Sequence, residues 1–144
     1  MKAVILAGGF GSRLKRVIYD RPTSMAPIAG IPFLEHQIRL LKEQGIIEII
    51  LCVSFMAGSI KSYFGDGKKW NVSIKYVYEE SPLGTAGALG LLPSDLSKLP
   101  IIMMNGDLLT NVDLVSLLKF HNEQDGVATM CVTEYDFQVP YGVV

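Results

Sequence analysis

Ala3-Val4-Ile5-Leu6-Ala7-Gly8-Gly9-Phe10-Gly11-Ser12-Arg13-Leu14 opens the chain and decides its fold class. Residues 3–7 are apolar without alternation, the pattern of a strand buried on both faces in a parallel sheet. The glycines then end the strand and begin a polar loop. In open α/β sheets ligands bind at this place, beyond the carboxyl end of a strand.

Outward from this strand, extended and helical patterns alternate. Over residues 33–44, Leu34, Ile38 and Leu41 share one helical face, while Glu35, Arg39 and Glu43 read as exposed i, i+4 charge pairs. Gly45 suits the position after the helix end. Ile46–Val53 reads as a second buried strand, Met56–Phe64 as a short helix, and Val72–Tyr78 as an alternating strand. Residues 85–91 read as helical and Ile101–Met104 as another strand. Leu114, Leu117, Leu118 and His121 line one face of a further helix, with Asn111 or Asp113 near its start. Val127–Val132 reads as a last strand. The order predicts a parallel α/β sheet with helices on both sides. Pro140-Tyr141-Gly142-Val143-Val144 breaks off where another strand would begin, so the chain reads as either a very short domain or a truncated one.

The 144 residues fit one domain, with 49% hydrophobic and 19% charged residues. A formal net charge of −1 and the lack of a Lys/Arg block argue against nucleic-acid and membrane-surface partners. No apolar run reaches the roughly 20 residues of a membrane span, and residues 1–9 do not read as a signal peptide. A cytoplasmic location is therefore expected. Cys52 and Cys131 each lie in an apolar run and read as buried, reduced thiols.

Glycines let a backbone approach phosphate closely and offer its N–H groups. Ser12 adds a hydroxyl donor and Arg13 a planar cation suited to phosphate oxygens. Leu14 replaces the third glycine of a dinucleotide fingerprint, and no Gly-Lys-Ser/Thr marks a P-loop. A tight strand-to-helix turn with a solvated arginine is the other reading of these residues.

Leu6–Leu14 nevertheless resembles the opening signature of the sugar nucleotidylyltransferases. The resemblance continues, in order, through Met25–Leu34, Pro82–Ala88, Asn105-Gly106-Asp107 and Tyr141–Val144. It implies a Rossmann-like three-layer sandwich with a mostly parallel sheet, of the nucleotide-diphospho-sugar transferase type. Residues 1–144 would be its N-terminal, nucleotide-binding part, with the rest of the sugar-binding part beyond Val144. It also implies transfer of a nucleoside monophosphate from a nucleoside triphosphate to a sugar 1-phosphate, with release of pyrophosphate. Leu6, Ala7, Gly8, Gly9, Gly11, Ser12 and Arg13 would hold the triphosphate, Arg13 also offsetting charge on the leaving pyrophosphate. Asp107 would bind Mg²⁺, and Tyr141 and Gly142 would begin the sugar site. A homo-oligomer is left open.

Glu79, Gly84 and Thr85 match the family's base and ribose segment. Relatives that read thymine or uracil tend to carry glutamine where Glu79 stands. A carboxylate only accepts hydrogen bonds, whereas guanine offers two adjacent donors, N1–H and the 2-amino group, so Glu79 suits GTP. The other reading makes Glu79 and Glu80 solvated charges at a strand end. Gly84 and Gly87 would let a flat ligand approach the backbone. Lys15-Arg16-Val17-Ile18 and Met25-Ala26-Pro27-Ile28 look most like the heptose 1-phosphate guanylyltransferases, which make sugar nucleotides for cell-surface polysaccharide. The mannose-1-phosphate guanylyltransferases are the nearest rival.

The sequence departs from the family at Pro22-Thr23-Ser24-Met25, where Thr23 occupies the usual position of a lysine near the reacting phosphates. A neutral threonine cannot supply that charge. Catalysis would be weakened, Arg21 would substitute, or the chain would be a nucleotide-binding or regulatory relative without activity. His36 and His121 read as structural residues.

Overall fold

The computed structural model describes residues 1–9, 19–81, 83–94, 96 and 100–136. They fall into two compact units, Met1–Val112 and Asp113–Val144. In the first unit, strands β1 (Lys2–Leu6), β4 (Glu48–Val53), β5 (Ser73–Tyr78) and β6 (Ile101–Asn105) form one sheet in the order β5-β4-β1-β6. All three pairings are parallel, with Lys2 opposite Glu48 and Ile101, and Glu48 opposite Ser73. Between β1 and β4, a two-residue hairpin pairs β2 (Pro27–Ile28) with β3 (Ile31–Pro32). Its turn uses Ala29 at φ 51° and Gly30 at φ 83°, the positive-φ pair of a hairpin turn matched to strand twist.

Parallel neighbours require crossovers, and the helices supply them. Helix α1 (Phe33–Glu43) joins the hairpin to β4, and α2 (Ala57–Phe64) lies between β4 and β5. A short helix, α3 (Gly84–Gly87), continues as a 3₁₀ turn over Ala88–Leu91 before β6. The first two crossovers step the same way across the sheet and the third steps back, so right-handed connection puts them on opposite faces. Strand alternation agrees. Val4, Ile50 and Cys52 pack in one buried cluster with Ala88 and Leu96 from the third crossover. Their neighbours Ala3, Ile5, Ile49, Leu51 and Val53 turn the other way and are also buried, as are Leu34, Ile38, Leu41, Ile60 and Phe64 of α1 and α2. The expected mostly parallel three-layer arrangement is the observed one. Gly45, at φ 78°, follows the end of α1 as its position suggested.

Three expectations fail. Glu35 does pair with Arg39, but the Glu35 side chain is only 5% exposed while that of Arg39 is 54% exposed, so the pair runs from the surface into the interior instead of lying on the surface. Tyr63 from α2 covers it, donating its hydroxyl to Glu35 Oε2 at 2.7 Å. Helical periodicity locates a face but not what packs on it.

The other two failures lie in the second unit. There α4 (Leu114–Glu123) is capped by Asp113, which accepts the Ser116 N–H at 2.9 Å and its hydroxyl at 2.7 Å. Residues 127–132 form no strand, and Val127, Met130 and Val132 are exposed. A strand exists through its ladder, and among the described residues no segment pairs with this one. Cys131 is accordingly exposed, whereas Cys52 is buried as expected. No helix among the described residues is long and apolar enough to cross a membrane.

Candidate active site

The four parallel strands end along one edge, and each carries its chain into a loop there. Hydrogen bonds extend the ladder one step past the strands. Ala7 N–H donates to Cys52 O at 2.8 Å, Glu79 N–H to Val53 O at 2.9 Å, and Gly106 N–H to Leu6 O at 2.8 Å. Counted one residue further, Glu79, Ser54, Gly8 and Asp107 take matching positions in a row along the edge, Asp107 within the turn that begins at Gly106. Adjacent strands lie about 4.8 Å apart, so this row spans roughly 14 Å from Glu79 to Asp107.

Side-chain geometry supports the row. A Cβ placed on Gly8 would lie 3.1 Å from Glu79 Oε1 and 3.2 Å from Ser54 Cβ. The Glu79 carboxylate therefore reaches across Ser54 to the glycine of β1, two strands away. It is half-buried, unlike the exposed Glu80, so the two acids are not equivalent solvated charges. Its charge and, more strongly, burial push the Cys52 thiol up to about 11, which keeps that thiol protonated and inert at neutral pH. Gly106 is fixed in the same way: its Cβ would stand 2.9 Å from Leu6 O and 3.1 Å from Ala7 Cα. These two glycines allow the strand ends to close up against β1.

Among the described residues, no acceptor takes the N–H of Gly8 or Gly9. A Cβ on Gly9 would meet nothing within 4 Å. Gly11, Ser12 and Arg13 lie outside the described residues, as do Lys15, Arg16, Tyr141 and Gly142. Gly84 starts α3 at φ 75° with open space where its side chain would be. Thr85 follows it in α3. Gly87 has a local cause instead, because its Cβ would lie 2.4 Å from Leu83 Cβ.

Asp107 is exposed at the other end of the row. Among the described residues, nothing hydrogen-bonds or ion-pairs with its carboxylate. Nor, among the described residues, does any group of three His, Cys, Asp or Glu stand where it could hold a metal. A free carboxylate at an open edge fits Mg²⁺, which takes one or two protein carboxylates and fills its shell with water and phosphate oxygens.

Thr23 and Ser24 lie in a 3₁₀ turn, Thr23–Met25. Arg21 is exposed and paired with its neighbour: its Nε and Nη2 donate to Asp20 at 2.9 and 2.6 Å. His36 Nε2 lies 2.9 Å from Ile28 O, a structural tie between α1 and the hairpin. His121 Nδ1 lies 3.0 Å from Thr129 Oγ1.

Two residues of this edge escaped the sequence reading. Ser54 follows β4 as Gly8 follows β1, but only the register shows that it shares their row. Gln37 sits inside the stripe Leu34-Gln37-Ile38-Leu41, and a polar residue at i+3 on a buried face was the available signal.

A doubly wound parallel sheet marks an α/β protein of the class that binds ligands beyond the carboxyl ends of its strands, the edge where Gly8 and Asp107 stand. Residues 2–144 match the nucleotidyl transferase family, and the chain belongs to it. It is 40% identical over 151 residues to the D-glycero-alpha-D-manno-heptose 1-phosphate guanylyltransferase of Campylobacter jejuni, covering 98% of this chain and 67% of that protein. It is 37% identical over 150 residues to a mannose-1-phosphate guanyltransferase of Pichia angusta, covering all of this chain and 40% of that one. Among solved structures, HddC from Yersinia pseudotuberculosis complexed with GMP-PN superposes with a TM-score of 0.70 at 34% identity, covering 83% of this chain and 53% of that one. The chain thus spans less than half the length of the Pichia angusta relative.

Proposed function

We propose that this chain is the nucleotide-binding part of an enzyme that transfers GMP from GTP to a sugar 1-phosphate, in the cytoplasm, for sugar-nucleotide synthesis. The observation that carries the reading is the row Glu79–Ser54–Gly8–Asp107. In this reading Glu79 is the hydrogen-bond acceptor for a base and Asp107 the carboxylate for a cation, on either side of Gly8. The guanylyltransferase relatives and the GMP-PN complex of a similar protein support guanine. The heptose 1-phosphate enzyme, the relative matched over two thirds of its own length, favours a heptose 1-phosphate over mannose 1-phosphate.

In this reaction a phosphate oxygen of the sugar 1-phosphate bonds to the α-phosphorus of GTP. The bond from that phosphorus to the bridging oxygen breaks, and pyrophosphate leaves in line. The protein's part is positioning and charge compensation. The N–H groups of Gly8 and Gly9, with Gly11 and Ser12, cradle the triphosphate above Leu6 and Ala7. Arg13 offsets the charge of the departing pyrophosphate. Asp107 would hold Mg²⁺, which when bound offsets negative charge on the phosphoryl oxygens. Glu79 accepts from guanine N1–H and the 2-amino group, Gly84 and Thr85 border the base and ribose, and Tyr141 and Gly142 begin the sugar side.

Calorimetric titration with GTP, ITP and UTP in the presence of Mg²⁺ tests the reading. GTP should bind tightest. ITP, lacking the 2-amino group, should be intermediate. UTP should be weaker than GTP by about tenfold or more, because an unpaired buried acceptor costs about 1–3 kcal/mol. Glu79→Gln should erode the preference. Equal affinity for GTP and UTP would remove the guanine assignment.

One observation favours a second reading, a nucleotide-binding relative with impaired catalysis. Thr23 is neutral, and the nearby Arg21 is held by Asp20.

A further inference from the structure

The side chain of Gln37 is buried, with the residue 1% exposed, in the middle of the apolar stripe of α1. Its Nε2 donates twice, to Asn105 O and to Leu108 O, both at 2.6 Å. These carbonyls bracket Gly106-Asp107. The opposite amide orientation would press Oε1 against the same two oxygens, so the hydrogen bonds fix the orientation. Among the described residues, Oε1 itself has no partner.

That orphan acceptor is informative. A leucine or methionine would fill the same buried volume without leaving a polar atom unpaired. What the glutamine alone provides is its two bonds to the turn that follows β6. On one side Gly106 is locked to β1 by its N–H bond to Leu6 O. On the other side Gln37 ties down the carbonyls before and after Asp107. The turn is thus clamped from both sides, while the Asp107 side chain stays exposed and unengaged by any described residue.

We infer that Gln37 is a positioning residue for the cation carboxylate: it holds the Asn105–Leu108 turn so that Asp107 meets a divalent ion in a preset geometry. This rests on the proposed role of Asp107. Groups that orient a metal ligand without touching the metal typically change metal affinity by roughly 10- to 100-fold when lost.

The test is Mn²⁺ binding to the chain in the presence of a non-hydrolysable GTP analogue, followed by electron paramagnetic resonance of free Mn²⁺. Gln37→Met keeps the volume and removes the two donors. It should weaken Mn²⁺ binding by roughly 10- to 100-fold and speed amide exchange at Asp107 and Leu108. Metal-free affinity for the analogue should be unchanged. Ile60→Val, a core change in α2 away from the turn, controls for general loss of stability and should keep wild-type Mn²⁺ affinity. Normal Mn²⁺ binding by Gln37→Met, with Asp107→Asn defective, overturns the inference and leaves the metal reading standing. A loss in Ile60→Val equal to that in Gln37→Met also overturns it. Normal binding by Asp107→Asn would instead overturn the metal reading, and the inference with it.

Discussion

At the scale of single residues, Thr23 raises the sharpest chemical question, since the resemblance implies a lysine near the reacting phosphates there. Its turn is held by a hydrogen bond from Ala26 N–H to Thr23 O at 3.0 Å, so the backbone is defined and only the charge is missing. Arg21 is two residues away, but Asp20 engages its guanidinium through two nitrogens and raises its pKa further, while the partner carboxyl is lowered. We expect Thr23→Lys to raise the rate of pyrophosphate release and Arg21→Ala to change it little. A charged contact to phosphate is worth about 1.5–3 kcal/mol, so the gain ceiling is roughly 10- to 150-fold. Rate measurements with GTP and a sugar 1-phosphate decide it. A silent Thr23→Lys beside a crippled Arg21→Ala would show that Arg21 leaves Asp20 to serve the reaction. The proposed role of Glu79, by contrast, rests on residue type, because an acceptor-only group at a strand end would select among bases by donor count.

At the scale of elements, the ends of β1 and β6 are joined through a residue that has no side chain. A Cβ on Gly106 would collide with the backbone of Leu6 and Ala7, and neither atom can rotate away. Gly106→Ala should therefore destabilise the first unit by about 1–3 kcal/mol, as overpacking does. Gly90→Ala, where a Cβ meets nothing within 4 Å, should stay within about 0.5 kcal/mol of the parent. Urea unfolding of both variants checks the contrast, and equal stabilities would mean that β6 can slide on β1 without cost. The resemblance singled out Asn105-Gly106-Asp107, but the reason for its glycine is a contact with a strand about 100 residues earlier in sequence, which no local reading contains.

For the molecule as a whole, acid stability should depend on Glu35. Its carboxyl is where α1, α2 and the 3₁₀ turn at Trp70 meet. Burial pushes the group up, but hydrogen bonds from Tyr63, Arg39 and Trp70 together outweigh it and hold the pKa below the ordinary 4.5. A carboxyl lowered on folding takes up its proton in the unfolded chain first. Its contribution is therefore complete above the ordinary value and is lost as pH falls through the folded one. Thermal unfolding measured downward from about pH 5 should show this loss. Glu35→Gln, less stable at neutral pH, should show a shallower slope. Parallel curves for the two proteins would take Glu35 out of the acid response.

The sequence by itself determined the strand–helix alternation of residues 1–112, the extent of α1 and the start of α4 to within a few residues, with Asp113 as one of two candidate caps. These depend on periodicity and residue type over a few neighbouring positions. Only the tertiary structure decided that Glu79, Ser54, Gly8 and Asp107 share one row, because register is a relation between strands far apart in the chain. It alone showed that Gln37 donates to the carbonyls of Asn105 and Leu108, and it turned Glu35 from a surface charge into a buried one. It also denied a strand to residues 127–132, whose apolar pattern has no ladder partner among the described residues. In each case the deciding contact lies with a segment distant in sequence, and a backbone group or side chain cannot specify its partner alone.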